Sequence, residues 1–206
     1  MGDDIFSYNG SAMLAMRGAN CVCIAADTRF AKQHQTLATD YQKIIKMNAR
    51  LFVGLAGLAT DAQTLANVFE LRQSIFKLRQ NREMTPSLFA KVCSSLLYEK
   101  RFGPYFAVPI IAGLEPDGTS YVATMDSIGA LAGGDDFVVG GTAEEFLYGV
   151  CETFYKPDMD SDTLTEVVSQ CLLAGMNRDA FSGWGAVVHT ITPEGVSTRT
   201  LRTRQD

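Results

Sequence analysis

Side chains able to do chemistry are sparse in this chain. Only two histidines occur: His34 sits in a polar stretch, and His189 alternates with apolar residues in a late run, which reads as a partly buried structural imidazole. No G-x-S-x-G elbow, H-E-x-x-H helix or phosphate-cradling glycine loop is present, so the usual hydrolase and nucleotide signatures are missing. The five cysteines (Cys21, Cys23, Cys93, Cys151, Cys171) lack zinc-like spacing. Cys21 and Cys23 alternate in an apolar run and should face one side of a strand as small hydrophobes. Met13 and Met16 read as sheet-core packing. What remains is a set of local phrases. Asp27-Thr28-Arg29 closes an apolar run, Lys43 opens another, Leu55–Asp61 carries Gly57 between a strand and a helix, and Arg178–Gly185 carries Asp179 and Ser182. A partly buried lysine needs a paired carboxylate, because removing one partner leaves an uncompensated charge. Structural pairing is therefore the simplest chemistry for Asp27, Arg29, Lys43 and Asp179.

The elements that position these residues come in blocks. Ala12–Met16 and Cys21–Ala26, joined through Gly18 and Asn20, read as a β-hairpin, and Lys43–Met47 with Leu51–Leu55 as a second. Lys32–Thr36 between them is a polar stretch. From Thr60-Asp61 the spacing of Leu65, Phe69, Arg72 and Phe76 predicts a helix. Thr85-Pro86 then supplies an N-cap and a first-turn proline for another helix, reaching about Lys100. Strands return at Val108–Gly113, Tyr121–Met125 and Ile128–Leu131, with turns at Glu115–Gly118 and Gly133–Asp136. Phe137–Val139 is a short strand. Thr142 is placed as the cap of a helix running to about Phe154, and Asp160 or Ser161 starts a fourth. Gly183–Ile191 and Val196–Leu201 close the chain as a hairpin. Blocks of strands and helices disfavour repeated βαβ units and favour two facing sheets with a helix pair on each outer side, an α+β arrangement.

The 206 residues, 47% hydrophobic and 20% charged, suggest one domain and exclude a chain too polar to fold. A net charge of −5 and the lack of a basic run argue against nucleic-acid binding. No window approaches the ~18 apolar residues that span a bilayer. The acidic start, MGDDIFSYNG, lacks the features of a signal peptide, so a reducing compartment is expected and the sequon Asn9-Gly10-Ser11 carries no glycan.

The phrases Cys23–Arg29, Lys43, Leu55–Asp61 and Arg178–Gly185, with Leu97–Phe106, stand in an order and spacing that resembles the proteasome-type N-terminal-nucleophile family over nearly the whole chain. The resemblance implies a four-layer αββα sandwich across residues 1–206, with 1–10 a short N-terminal extension. In active members of that family an N-terminal threonine attacks the peptide carbonyl, with its own α-amine as base. The matching register puts the nucleophile position at Ser11, the tuning aspartate and lysine at Asp27 and Lys43, the oxyanion glycine at Gly57, and the later Asp/Ser pair at Asp179 and Ser182. The threonine is absent, Glu144 stands where active members carry a serine, and a Ser11 inside an amide bond has no free amine. The positions are thus expected to be vestigial, in a non-catalytic beta subunit that uses no cofactor or metal. Implied partners are other beta and alpha subunits, in heteroheptameric rings stacked as a four-ring barrel in the cytoplasm and nucleus, without nucleic acid or membrane. The alternative is an active peptidase using Ser11 after cleavage at Gly10.

Overall fold

The computed structural model describes residues 5–205. After a single turn of 3-10 helix (Ile5–Ser7) come strands β1 (Ala12–Gly18) and β2 (Cys21–Asp27), a small hairpin of β3 (Phe30–Lys32) and β4 (Gln35–Ala38), then β5 (Ile44–Asn48) and β6 (Leu51–Gly57). Helices α1 (Ala59–Gln80) and α2 (Pro86–Tyr98) follow, then β7 (Ala107–Leu114), β8 (Ser120–Met125), β9 (Leu131–Gly134) and β10 (Phe137–Gly141). Helices α3 (Glu144–Phe154) and α4 (Ser161–Met176) and the hairpin β11 (Ala186–Thr192) and β12 (Gly195–Leu201) complete the chain.

The strands form two five-stranded antiparallel sheets, β10-β1-β2-β11-β12 and β5-β6-β7-β8-β9. The side-chain period of two decides how they stack. Along β1, Ala12, Leu14 and Met16 join Cys21, Cys23 and Ala25 of β2 in a core against α3 and α4. The alternate residues Met13, Ala15, Val22 and Ile24 meet Phe52, Ile110 and Ala112 in a second core between the sheets. Leu51, Val53 and Leu55 of β6 face a third core with Leu65, Phe69 and Phe89 from α1 and α2. Three cores separate four layers in the order αββα, as expected. The central strands are apolar on both faces, which is why they read as unbroken hydrophobic runs.

Local differences from the sequence reading have local causes. The polar stretch 32–36 turns back on itself as the β3–β4 hairpin, with Gln33 at φ 52°. The strand expected at Ile128–Leu131 begins only at Leu131. Asp126 Oδ1 accepts from Ile128 N (3.0 Å) and Ala130 N (2.8 Å), and this turn holds the preceding residues out of the ladder. Gly133 and Gly134, expected in a turn, instead pair with Ala123 and Val122. Thr142 does not cap α3: the N-cap is Ala143, without a side-chain bond. The Thr142 hydroxyl is used elsewhere.

Candidate functional site

Five of the six expected positions meet where the ends of β1, β2 and α4 converge. Asp27, the last residue of β2, is 1% exposed and takes three donors. Its Oδ1 accepts from Ala12 N (2.9 Å) and Lys43 Nζ (2.6 Å), and its Oδ2 from Gly183 N (3.1 Å). Lys43, just ahead of β5, is also buried and gives a second bond to the Gly10 carbonyl at 2.9 Å. Burial pulls both groups toward neutrality, raising the Asp27 pKa and lowering that of Lys43, while their mutual attraction opposes both shifts. The backbone N–H donors on Asp27 and the carbonyl on Lys43 complete a satisfied buried pair.

Asp179 lies in the turn after α4. Its Oδ1 accepts from Phe181 N (3.0 Å), and its Oδ2 from the hydroxyls of Ser182 (2.6 Å) and Thr142 (2.7 Å). The Thr142 oxygen in turn accepts from Ser11 N at 3.1 Å. The Ser11 hydroxyl itself is shut away from solvent and, among the described residues, has no hydrogen-bond partner. Its nitrogen belongs to the peptide bond with Gly10. An amide nitrogen has no basic lone pair, and here it is already a donor to Thr142. Lys43, the buried amine of the site, is engaged by Asp27 and Gly10. Among the described residues, no group accepts a hydrogen bond from Ser11 Oγ, and the bonds of the cluster join distant chain segments.

Gly57, at the end of β6, needs its positive φ of 108°, and a Cβ there would collide with the Phe106 carbonyl. It lines a cleft of about 790 Å³ with Phe6, Thr142, Glu144 and Phe181. Glu144 is half-buried there, and burial followed by the charge of Glu145 raises its carboxyl pKa. The cleft therefore lies beside the Ser11–Asp27–Lys43–Asp179–Ser182 cluster, with Gly57 on its wall.

Two residues of the site escaped the sequence reading. The sequence points to Thr142 as a helix cap, which its type and position resemble. Asn9 appeared only in a sequon, yet its side chain is buried and bonds Ala31 O and Ala59 N, 22 and 50 residues away. Nothing local in the sequence marks such long-range bonds. Arg29, read as a partner in charge pairing, spends its guanidinium on carbonyls and a hydroxyl instead: Phe181 O (2.7 Å), Gln33 O and His34 O (both 3.2 Å), and Thr36 Oγ1 (3.0 Å).

A family model described as "Proteasome subunit" matches residues 7–191. The chain is similar to a proteasome subunit beta type-3 of Picea mariana, 54% identical over 98% of this chain and 99% of the relative. It is 52% identical to the protein of that name from Dictyostelium discoideum and 47% to that from Drosophila melanogaster, with the same coverage. A match of that extent, on an αββα frame, means that the chain belongs to the proteasome subunit family.

Proposed function

We propose that this chain is a non-catalytic beta subunit of the proteasome core particle, a beta type-3 subunit like the relatives it is similar to. Its work is binding: it holds neighbouring beta and alpha subunits in heteroheptameric rings stacked as a four-ring barrel, and it walls the chamber in which other subunits cut protein. The observation that carries this reading is the state of Ser11, whose hydroxyl has no partner among the described residues and whose nitrogen is an amide donating to Thr142. Asp27, Lys43, Gly57, Asp179 and Ser182 are then vestiges kept for structure, because each satisfies a buried group or a turn. The subunit works in the cytoplasm and nucleus, without a cofactor.

Its contacts with neighbours use apolar side chains left on the surface. Tyr98, the last residue of α2, is 64% exposed, Phe102 in the turn after it is 99% exposed, and Leu78 on α1 is 85% exposed. Large aromatic groups in water favour a protein partner. The Tyr98–Phe106 stretch and the Arg199–Arg204 end are the proposed contact segments.

The test is the state of the chain in the purified complex. Peptide mapping is expected to recover the Gly10–Ser11 bond intact. A probe that needs both the hydroxyl and the amine of an N-terminal nucleophile, such as an epoxyketone, is expected to leave this subunit unmodified. A chain commencing at Ser11 that carries the adduct would establish the peptidase reading instead.

A further inference from the structure

Residues 6–10 run beside the mouth of the site and touch both halves of the sandwich. The Tyr8 carbonyl accepts from Gln33 N (2.7 Å) at the β3–β4 turn. Asn9, 8% exposed, uses both ends of its side chain. Its Nδ2 donates to Ala31 O in β3 at 2.8 Å, and its Oδ1 accepts from Ala59 N, the first residue of α1, at 2.9 Å. That second bond is a helix cap delivered in trans. Helix α1 needs one, because its own N-cap Leu58 provides no side-chain acceptor for the first-turn N–H groups.

Gly10 follows at φ +71°, so close to the Phe181 carbonyl that no Cβ fits, with its own carbonyl on Lys43. At the other end, Phe6 packs edge-on against Phe106 at 5.7 Å. Phe106 is itself tied to the β6–α1 corner, accepting from Leu58 N (2.7 Å) and donating its N–H to Asp61 Oδ2 (2.8 Å). Phe6 and Ser7 also wall the cleft that holds Gly57 and Thr142. Five consecutive residues thus engage four distant places: 31–33, Lys43, 57–61 with Phe106, and Phe181.

We propose that residues 6–10 form a built-in strap, which fixes the β3–β4 hairpin against the start of α1 and lies along the cleft beside Ser11. Asn9 is its lock. The strap is part of the fold, so releasing it at Gly10–Ser11 loosens the site rather than completing it. This deepens the non-catalytic reading and rests on it only in taking the Gly10–Ser11 bond as uncut.

Amide hydrogen exchange, measured by mass spectrometry on the assembled complex, tests the strap. Four chains are compared: the full chain, Asn9→Ala, Asn9→Asp, and a chain started at Ser11 by in-cell removal of an N-terminal ubiquitin. Peptides holding Gln33 and Ala59 are expected to exchange at least about fivefold faster in Asn9→Ala and in the Ser11-start chain, the effect of losing a cap bond. Asn9→Asp is expected to keep Ala59 protected, because a carboxylate still accepts at a helix N-terminus. Unchanged exchange around Ala59 in Asn9→Ala overturns the proposal, and this variant alone decides it should the shortened chain fail to assemble. Epoxyketone labelling of the Ser11-start chain is read separately. An adduct there would overturn the claim that release loosens the site, whereas the non-catalytic reading of the uncut chain is decided by the peptide map of the purified complex.

Discussion

Asp27 and Lys43 hold each other in place whatever else the site does. Each is buried, each is satisfied only by the other and by backbone groups, and neither can be removed alone. Asp27→Asn is therefore expected to destabilise the subunit by about 3–5 kcal/mol, since it strands a buried ammonium. Asp27→Asn with Lys43→Met is expected to recover much of that loss. Thermal unfolding and incorporation of the two variants into the complex provide the comparison; equal loss in both would show that the charges were not the cause. His189 carries a second residue-scale expectation. Its ring stacks on Phe52 at 5.2 Å and bonds Thr198 through Nδ1, and burial lowers its pKa below the ordinary 6.5. The unfolded chain then binds this proton more readily than the folded one. The contribution of His189 is present above the ordinary histidine range and is lost as pH falls through the lowered folded pKa. Ring C2-hydrogen exchange against pH, read by mass spectrometry, is expected to titrate below 6.5; a midpoint above it would contradict the burial argument.

At the scale of elements, the sequence showed most where one residue's neighbours along the chain decide its state. The Thr85-Pro86 start of α2 was legible because the cap is local: Thr85 Oγ1 accepts from Leu88 N, three residues on. The apolar row of α1 was legible because Leu65 and Phe69 repeat at helical spacing on its buried face. Phe69 meets Phe89 edge-on at 5.5 Å between the two helices. Truncation by Phe69→Ala is expected to cost about 3–5 kcal/mol by denaturant titration, whereas an exposed position on the same helix, Glu70→Ala, should change stability by under ~0.5 kcal/mol. Boundaries set by distant partners were not legible. β9 starts late because Asp126 closes a turn, and Thr142 abandons the helix cap because Ser11 and Asp179 claim its hydroxyl. The expected cluster could be placed from the family's register, but Asn9 could not, since both its partners arrive only with the tertiary fold.

For the whole molecule, the proposed reading makes the αββα frame a scaffold. On that reading the Ser11 nitrogen is an amide donating to Thr142, and Asp27, Lys43, Asp179 and Ser182 are held by hydrogen bonds to one another and to the backbone. A subunit of this kind should depend on its neighbours, and exposed Phe102 and Tyr98 set that expectation. The chain expressed alone is expected to aggregate, as light scattering would report, and a stable soluble monomer would argue against a scaffold role. The central claim concerns Ser11, and the most direct measurement is peptide hydrolysis by the assembled complex carrying Ser11→Ala. Removing a buried hydroxyl that has no partner among the described residues should leave assembly and every peptide-cleaving rate unchanged. Selective loss of one cleavage activity in an otherwise intact complex would contradict the claim and make Ser11 a nucleophile.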